Sequence, residues 1–200
     1  MRRNDLAVIL ARGRSLRMGR PKGLLTVPGT HEPFVARIAD LYAGWADVLV
    51  VALAGSAEDY RAVLAGRSNV RVLGEAGGDD TARTLCLAWS GRTGDPQRVW
   101  AHPVDLPLVR PVTLERLNEA AALRPERAHR PVWQGEPGHP VVIPAALVAA
   151  LAGACDYHPG PAGAFLGGRC GLVEVDDPGV ARDFDSPEDL EDVCFPGEPG

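Results

Sequence analysis

The chain has 200 residues, of which 46% are hydrophobic and 24% are charged, a composition typical of a globular protein with its own core. Its formal net charge of -5 at pH 7 argues against a nucleic-acid partner, because nucleic-acid-binding surfaces are basic. The apolar run over residues 6–11 is too short for a signal-peptide core or a membrane span. We therefore expect a cytoplasmic protein with no membrane partner.

The first half of the chain alternates between short apolar runs and helical patterns. The runs are rich in Val and Leu, as in strands buried on both faces of a parallel sheet, and cover residues 6–11, 48–53, 70–73 and 99–101. Apolar residues recur every three or four positions over residues 34–42, 57–64 and 81–89. This alternation predicts an α/β layered domain with right-handed crossovers.

The second half is less regular. Its patterns predict helices over residues 112–123, 144–151 and 163–166, a hairpin of 130–134 with 139–143 around the turn GEPG, and a strand over 171–175. The segment DSPEDLEDV predicts a last helix with Ser186 as N-cap and Pro187 in its first position. We found no linker or repeat, so we expect one domain over residues 1–194 and a flexible tail over 195–200.

The four cysteines lie singly in the sequence, at Cys86, Cys155, Cys170 and Cys194. They form no C-x-x-C pair and no zinc-finger spacing with a histidine, so neither a metal site nor a disulfide framework is indicated. We expect them to be reduced and to serve mainly in packing.

The loop after the first predicted strand is rich in glycine and basic residues. In an α/β sheet, ligands bind at the carboxyl ends of the strands, where this loop begins. Gly13 and Gly19 let backbone N–H groups approach a polyphosphate, and Arg17 and Lys22 add positive charge. The spacing fits neither the Walker loop nor G-x-G-x-x-G. We therefore interpret the loop as a polyphosphate clamp of another type.

Two later stretches carry carboxylates that suit a metal ion. Asp105 follows a predicted central strand, where it can hold Mg²⁺ against a phosphate, and such an ion usually takes one or two carboxylates. Asp183 and Asp185 point to the same side of an extended segment if Phe184 turns into the core. Either aspartate can be the second ligand, although Asp185 also suits a plain helix start. His139, after a glycine turn, can contact an acceptor or be an ordinary turn residue.

These stretches carry a family resemblance. The sequence LARGRSLRMGRPKGLL resembles the signature L-A-x-G-x-S-x-R-M-G-x-x-K-x-L-L of the nucleotidyltransferases that act on the molybdenum cofactor. The stretches VDLPLV, GEPGHPVVIP and DFDSPEDL resemble three further motifs of that family, in the same order. The spacing R-M-G-x-x-K is similar to that of the cytidylyltransferase branch. The resemblance covers nearly the whole chain.

The resemblance implies a Rossmann-like three-layer fold of the nucleotide-diphospho-sugar transferase (GT-A-like) type, with a mostly parallel central sheet. It implies Mg²⁺-dependent transfer of a nucleoside monophosphate from CTP or GTP, with release of pyrophosphate. The implied acceptor is a phosphorylated pterin, molybdopterin or molybdenum cofactor. A molybdoenzyme or its chaperone is implied as a further partner. The implied catalytic residues are Lys22, Arg17 and Asp105. The implied nucleotide-binding residues are Leu10, Ala11, Arg12, Gly13, Ser15, Gly19 and Lys22; Gly138 and His139 are assigned to the acceptor, and Asp105 and Asp185 to the metal.

Two departures from the family pattern leave alternatives open. Arg12 stands where the family has a small residue beside the nucleotide base, and Asp80 and Ala88 replace two glycines of a later motif. We expect Arg12 to turn inward and fill space near the base rather than point to solvent, because the strand before it is buried and Gly13 lets the loop turn. The acceptor can instead be another phosphorylated metabolite such as a sugar phosphate. A nucleotide-binding sensor or carrier without transfer activity is the remaining alternative.

Overall fold

The computed structural model describes residues 4–13, 18–77, 80–154 and 166–191. In this part of the chain, five α-helices pack on the two faces of one eight-stranded sheet. The strands are β1 (Asp5–Ala11), β2 (Asp47–Leu53), β3 (Val70–Glu75), β4 (Arg98–Pro103), β5 (Ala128–Trp133), β6 (Glu136–Pro137), β7 (Val141–Pro144) and β8 (Cys170–Glu174). The helices are α1 (Phe34–Leu41), α2 (Ala57–Val63), α3 (Thr81–Ser90), α4 (Pro111–Leu123) and α5 (Ala145–Ala154).

The strand order of the sheet is β3-β2-β1-β4-β7-β5-β6, and β8 pairs with the other edge of β5. Strands β3, β2, β1 and β4 are mutually parallel, and β8 is parallel to β5. Strand β7 runs antiparallel between β4 and β5, and β6 is antiparallel to β5. The mostly parallel, three-layer α/β architecture predicted from the sequence is therefore confirmed.

The two faces of the sheet bury separate apolar clusters. Along β1, Ala7 and Ile9 pack with the helices α1, α2 and α4, whereas Leu6 and Val8 pack on the opposite face with α3 and α5. All four side chains are at most 4% exposed. Burial on both faces explains why β1 reads as a continuous apolar run instead of an alternating one.

The chain reverses its direction of winding between β1 and β4. From β1 it continues through α1 to β2 and then β3 on one side, whereas β4 lies on the other side of β1 with Leu10 paired to Pro103. The carboxyl ends of two such neighbouring strands open a crevice, because their following loops leave in opposite directions. Because β1 and β4 are neighbours, the loop after β1 and the loop after β4 therefore lie on the two sides of this crevice.

The predicted hairpin differs in detail. The tight turn is Gln134-Gly135, whose φ angles of 51° and 85° are both positive, as a type I′ turn requires. GEPG is thus not one turn: its Glu136 and Pro137 form β6, and the chain then passes through Gly138 and His139 to β7. The sequence pattern missed this because a two-residue strand is too short for any periodicity.

The last predicted helix is one 3₁₀ turn, Pro187–Leu190, within the described residues. Ser186 is its N-cap and Pro187 its first residue, as predicted. Most of the helix predicted over 163–166 and the tail over 195–200 lie outside the described residues. No helix of the described part is long and apolar enough to cross a membrane.

One cysteine corrects the sequence-based expectation. Cys86 is disulfide-bonded, so the prediction that it is reduced was wrong. It lies on α3, which packs against α5, and spacing along the sequence does not reveal such proximity. Cys170 is free, and Cys155 and Cys194 lie outside the described residues.

A buried histidine links α1 to the loop after β4. His102 is fully buried; its Nε2 is 2.9 Å from the carbonyl oxygen of Leu106, and its Nδ1 is 3.1 Å from the Tyr42 hydroxyl. Because a carbonyl oxygen only accepts, Nε2 carries the proton and Nδ1 accepts from Tyr42. Burial lowers the pKa of His102 from 6.5 to about 4, so the imidazole stays neutral.

This histidine should make the fold sensitive to mild acid. An unfolded-state imidazole binds a proton below pH 6.5, whereas the folded-state group does so only near its lowered pKa of about 4, so stability is lost as pH falls through that interval. We expect His102 to contribute a loss of about 2 kcal/mol between pH 7 and pH 5. Urea unfolding at both pH values should show a smaller difference in His102→Gln than in the unaltered protein. Equal differences would contradict the assignment.

Candidate active site

The candidate site lies at the crevice beside the carboxyl ends of β1 and β4. The loop after β1 leads to a 3₁₀ turn, Lys22–Leu24, and the loop after β4 contains Asp105. The segment after β8 brings Asp185 to the same place. Three parts of the chain that are distant in sequence therefore meet at one edge of the sheet.

The turn that carries Lys22 packs too closely on the core for any residue but glycine at its centre. A Cβ on Gly23 would lie 2.6 Å from Cε1 of Tyr60 and 2.7 Å from Cγ2 of Val104. The backbone N–H of Gly23 also donates a hydrogen bond to the Tyr60 hydroxyl. These contacts fix the main chain of the turn against α2 and the loop after β4, and so fix where the Lys22 side chain begins.

Lys22 lies between two carboxylates. Its Nζ is 2.8 Å from Oδ2 of Asp105, and it also donates a hydrogen bond to Oδ1 of Asp185. The Lys22 side chain is 15% exposed, so water and salt screen its charge less than they screen that of a fully exposed lysine. Burial lowers the pKa of Lys22, but the hydrogen bonds and charges of Asp105 and Asp185 outweigh that effect and raise the pKa above its ordinary value.

The backbone holds the two aspartates together. The N–H of Phe184 donates to the carbonyl oxygen of Asp105 over 3.2 Å. The Phe184 ring is buried against Phe34, with 5.1 Å between ring centroids, as the sequence predicted. Asp185 is the aspartate that contacts Lys22. The other aspartate of this segment is Asp183, and burial together with the charges of Asp185 and Asp105 raises its pKa above the ordinary value.

The loop after β1 is described in part. Leu10 and Ala11 end β1, Gly13 is exposed, and Gly19 has a φ of 67°, a conformation that glycine adopts readily. Ser15 and Arg17 lie outside the described residues. The Arg17 half of the predicted clamp and the Ser15 contact therefore stay predictions.

Arg12 turns inward. Its side chain is 1% exposed, Nη1 donates to Oγ1 of Thr84 over 3.2 Å, and Nη2 donates to the carbonyl oxygen of Ala76 over 3.0 Å. The guanidinium thus occupies the space between the loop after β3 and the first turn of α3. The inward orientation expected from the sequence agrees with this structure.

Asp80 has a local structural role. Its carboxylate is the N-cap of α3 and accepts from the backbone N–H groups of Ala82 and Arg83, at 2.8 and 3.4 Å. This arrangement uses its negative charge at a helix N-terminus, where it is favourable. Asp79 lies outside the described residues.

Gly138 and His139 lie beside the segment that carries Asp185. A Cβ on Gly138 would lie 2.3 Å from the carbonyl oxygen of Val180, and the N–H of His139 donates to that same oxygen over 2.8 Å. Burial and the charge of Arg130 lower the pKa of His139 to about 4, although Asp105 acts in the opposite direction. His139 is therefore a neutral side chain within electrostatic reach of Asp105.

The composition of the chain also points to Lys22. Lys22 is the only lysine among the 21 basic side chains of the chain, the others being arginines. An ammonium group is a compact charge with three donors, whereas a guanidinium is a wide planar fork, so the two are not interchangeable at a crowded site. A single lysine in an arginine-rich chain is thus itself a pointer to a functional position.

The site offers a pair of carboxylates rather than a larger metal cage. Within residues 4–13, 18–77, 80–154 and 166–191, no group of three or more His, Cys, Asp or Glu side chains is arranged to hold a metal ion. Asp105 and Asp185 nevertheless converge on one cationic group, the ammonium of Lys22. Two carboxylates suit an ion that takes its remaining ligands from phosphates and water.

Comparison with known proteins identifies relatives. Residues 7–167 match the model of the family described as the MobA-like NTP transferase domain. No curated protein matches the chain significantly.

Solved structures from several organisms share the fold. Rv0371c from Mycobacterium tuberculosis, solved in complex with manganese, is 23% identical with a TM-score of 0.67, covering 94% of this chain and 99% of that one. Molybdopterin-guanine dinucleotide biosynthesis protein A from Archaeoglobus fulgidus is 16% identical with a TM-score of 0.66, covering 96% and 95%. The 4-diphosphocytidyl-2C-methyl-D-erythritol synthase from Anaerococcus prevotii is 13% identical with a TM-score of 0.73, covering 94% and 93%. At these identities, the likeness concerns the fold alone.

The single lysine allows a direct test of the ion pairs. With isotope-labelled lysine, NMR titration should give a Lys22 pKa above 10.5. Because this pKa is raised, the stabilisation from the ion pairs is present below the unfolded-state value and is lost as pH rises through the folded-state pKa. Asp105→Asn and Asp185→Asn should each lower the Lys22 pKa, whereas Asp95→Asn, at a side chain that is 97% exposed, should not change it. A pKa at or below 10.5 in the unaltered protein would rule out the pairing.

Proposed function

Because the chain belongs to the MobA-like NTP transferase family, we propose that it is a Mg²⁺-dependent enzyme that transfers a nucleoside monophosphate from CTP or GTP to a phosphorylated acceptor, with release of pyrophosphate. The family supports nucleotidyl transfer in general. The observation that carries the proposal is the placement of Lys22 between Asp105 and Asp185 at the crevice beside β1 and β4. We propose that residues 1–194 act as one domain in the cytoplasm.

The proposed reaction is a displacement at phosphorus. A phosphate oxygen of the acceptor attacks the α-phosphorus of the nucleotide and forms a new P–O bond, and the bond from that phosphorus to the bridging β-phosphate oxygen breaks. Pyrophosphate leaves with the bonding electron pair. The protein contributes positioning and positive charge, because phosphoryl chemistry leaves little covalent work for side chains.

Lys22 and the loop after β1 form the proposed triphosphate clamp. The Lys22 ammonium neutralises charge on the phosphate oxygens, Arg17 adds a second positive charge, and the backbone between Gly13 and Gly19 supplies N–H donors. Leu10, Ala11 and Ser15 complete the proposed nucleotide contacts. The close packing of Gly23 on Tyr60 supports this assignment, because it holds the base of the Lys22 side chain in one place.

Asp105 and Asp185 are the proposed metal ligands. Their oxygens already converge on a cation and are hard donors of the kind that Mg²⁺ prefers. A bound Mg²⁺ supplies positive charge where negative charge develops on the phosphate oxygens. Asp183 is a less suitable ligand, since burial and the neighbouring carboxylates raise its pKa.

Gly138 and His139 form the proposed acceptor side of the site. A neutral imidazole can donate to or accept from a phosphate without adding a charge. Molybdopterin is our first choice of acceptor, and a molybdoenzyme or its chaperone would receive the product. A sugar phosphate is the alternative, because one structure with this fold is named for a methylerythritol product and another for a pterin dinucleotide.

The position of Arg12 favours a second candidate function, that of a nucleotide-binding sensor or carrier without transfer activity. Its guanidinium fills the space between Ala76 and Thr84. In the proposed binding mode the nucleotide base would need this space. If the guanidinium does not move, the protein binds nucleotide weakly or in another way and acts as a sensor or carrier without transfer. Its buried position supports keeping this second candidate.

Transfer should depend on Asp105. Asp105→Ala should abolish pyrophosphate release when the protein is supplied with Mg²⁺, molybdopterin and each of the four nucleoside triphosphates in turn. The fold should survive, because the residue contacts Lys22 rather than the core. Asp95→Asn is the control for a change at an exposed aspartate. Near-normal turnover of Asp105→Ala at saturating Mg²⁺ would overturn the role of Asp105. If the unaltered protein released pyrophosphate with a sugar phosphate but not with molybdopterin, the sugar phosphate would be the acceptor.

Arg12 should decide base preference. Arg12→Ala removes the guanidinium and exposes the Thr84 hydroxyl and the Ala76 carbonyl, which can then accept from a base amino group. We expect calorimetry with CTP, GTP and ATP to show a changed order of affinity, or binding that the unaltered protein lacks. Arg83→Ala, which removes an exposed arginine of α3, is the matched control. Identical profiles in Arg12→Ala and the unaltered protein would show that Arg12 does not face the base.

A further inference from the structure

A further carboxylate, that of Asp177, is completely buried and has no part in the proposed chemistry. Asp177 follows β8, is 0% exposed, and begins a 3₁₀ turn, Pro178–Val180. Its Oδ1 accepts from the backbone N–H of Gly179 over 3.0 Å. Its Oδ2 accepts from the Thr113 hydroxyl over 2.6 Å and from the backbone N–H of Arg110 over 2.8 Å.

These bonds join two segments that each carry a site aspartate. Arg110 is the N-cap residue of α4 and Thr113 lies in its first turn, so the two bonds to Asp177 attach the start of α4 to the segment after β8. The loop that ends at Arg110 contains Asp105, and the segment that begins at Asp177 continues to Asp185. One buried side chain therefore connects both halves of the carboxylate pair.

The turn after Asp177 packs closely on the loop that contains Asp105. A Cβ on Gly179 would lie 2.2 Å from the carbonyl oxygen of Leu108, so this turn lies directly on the Asp105 loop. The carbonyl oxygen of Val180 accepts from His139, and Phe184 donates to Asp105 further along. A change at the start of this segment should therefore be transmitted to its end.

We propose that Asp177 is a positioning residue that sets the placement of Asp185 against Asp105 and Lys22. A carboxylate is needed because its two oxygens accept from three donors, two of which are backbone N–H groups that cannot reverse their role. The amide of an asparagine would direct N–H groups at one of those donors. The placement of Asp185 is a property of the fold, and only the metal measurement described below rests on the proposed function.

The test uses the single lysine as a reporter. In protein with isotope-labelled lysine, Asp177→Asn should shift the Lys22 ammonium signal and lower its pKa, as we also expect of Asp185→Asn. It should also raise the dissociation constant for Mn²⁺ by about tenfold or more, measured from paramagnetic broadening of that signal, because residues that orient metal ligands have effects of this size.

The matched control is Asp5→Asn. Asp5 is also a buried carboxylate, 5% exposed, and accepts from Trp100 over 3.0 Å and from Arg98 over 3.2 Å, but it begins β1 at the opposite edge of the sheet. It should lower stability without changing the Lys22 signal or Mn²⁺ affinity. If Asp177→Asn has no more effect than Asp5→Asn on either measurement, Asp177 is merely structural and the proposal is wrong.

Thr113→Val keeps the test decisive if Asp177→Asn does not fold. It removes one donor to Asp177 with little change of shape, and we expect a smaller shift of the Lys22 signal in the same direction. An unchanged signal would overturn the proposal. Absence of pyrophosphate release in the unaltered protein would contradict the proposed function instead, and would leave the comparison of Lys22 signals intact.

Discussion

The contact of one ammonium group with two carboxylates is the interaction on which the site depends. Lys22, Asp105 and Asp185 come from the loops after β1 and β4 and from the segment after β8. Their opposite charges decide how the three side chains meet in the crevice, where two carboxylates without the ammonium would repel each other. The ammonium also offsets the repulsion between the two carboxylates, which lowers the free-energy cost of holding Asp105 and Asp185 close together.

Glycine contacts make this pairing possible. Gly23, Gly138 and Gly179 each lie where a Cβ would be less than 3 Å from a neighbouring atom, and the neighbours of Gly138 and Gly179 are backbone carbonyls that cannot move aside. The Gly23 contact packs the Lys22 turn on α2 and the loop after β4, the Gly138 contact packs the entrance to β7 on the segment after β8, and the Gly179 contact packs that segment on the loop after β4. The charged residues of the site are therefore positioned by main-chain packing and not only by their mutual attraction.

The parts of this structure that follow a local pattern were predictable from the sequence, and the parts that depend on distant contacts were not. The run from Leu6 to Ala11 and the glycine-rich loop identified β1 and the family resemblance, which the family model confirms. Periodicity could not show that Asp177 binds the start of α4, because Arg110 and Thr113 are more than sixty residues away from it. It also could not show that Cys86 is disulfide-bonded.

The two proposed tasks of the site, nucleotidyl transfer and selection of the substrate, rest on different kinds of contact. Lys22 and Asp105 are held by backbone packing that belongs to the fold, so the chemistry of transfer can persist while the surrounding side chains change. Arg12 instead reaches Thr84 and Ala76 through its side chain, so one substitution can alter what the crevice admits. A fold of this kind can therefore serve different nucleotides and acceptors, and the shared architecture of the solved structures does not decide between them. The identity of the substrate must therefore be sought at individual side chains such as Arg12 and His139 and not in the shared main-chain frame.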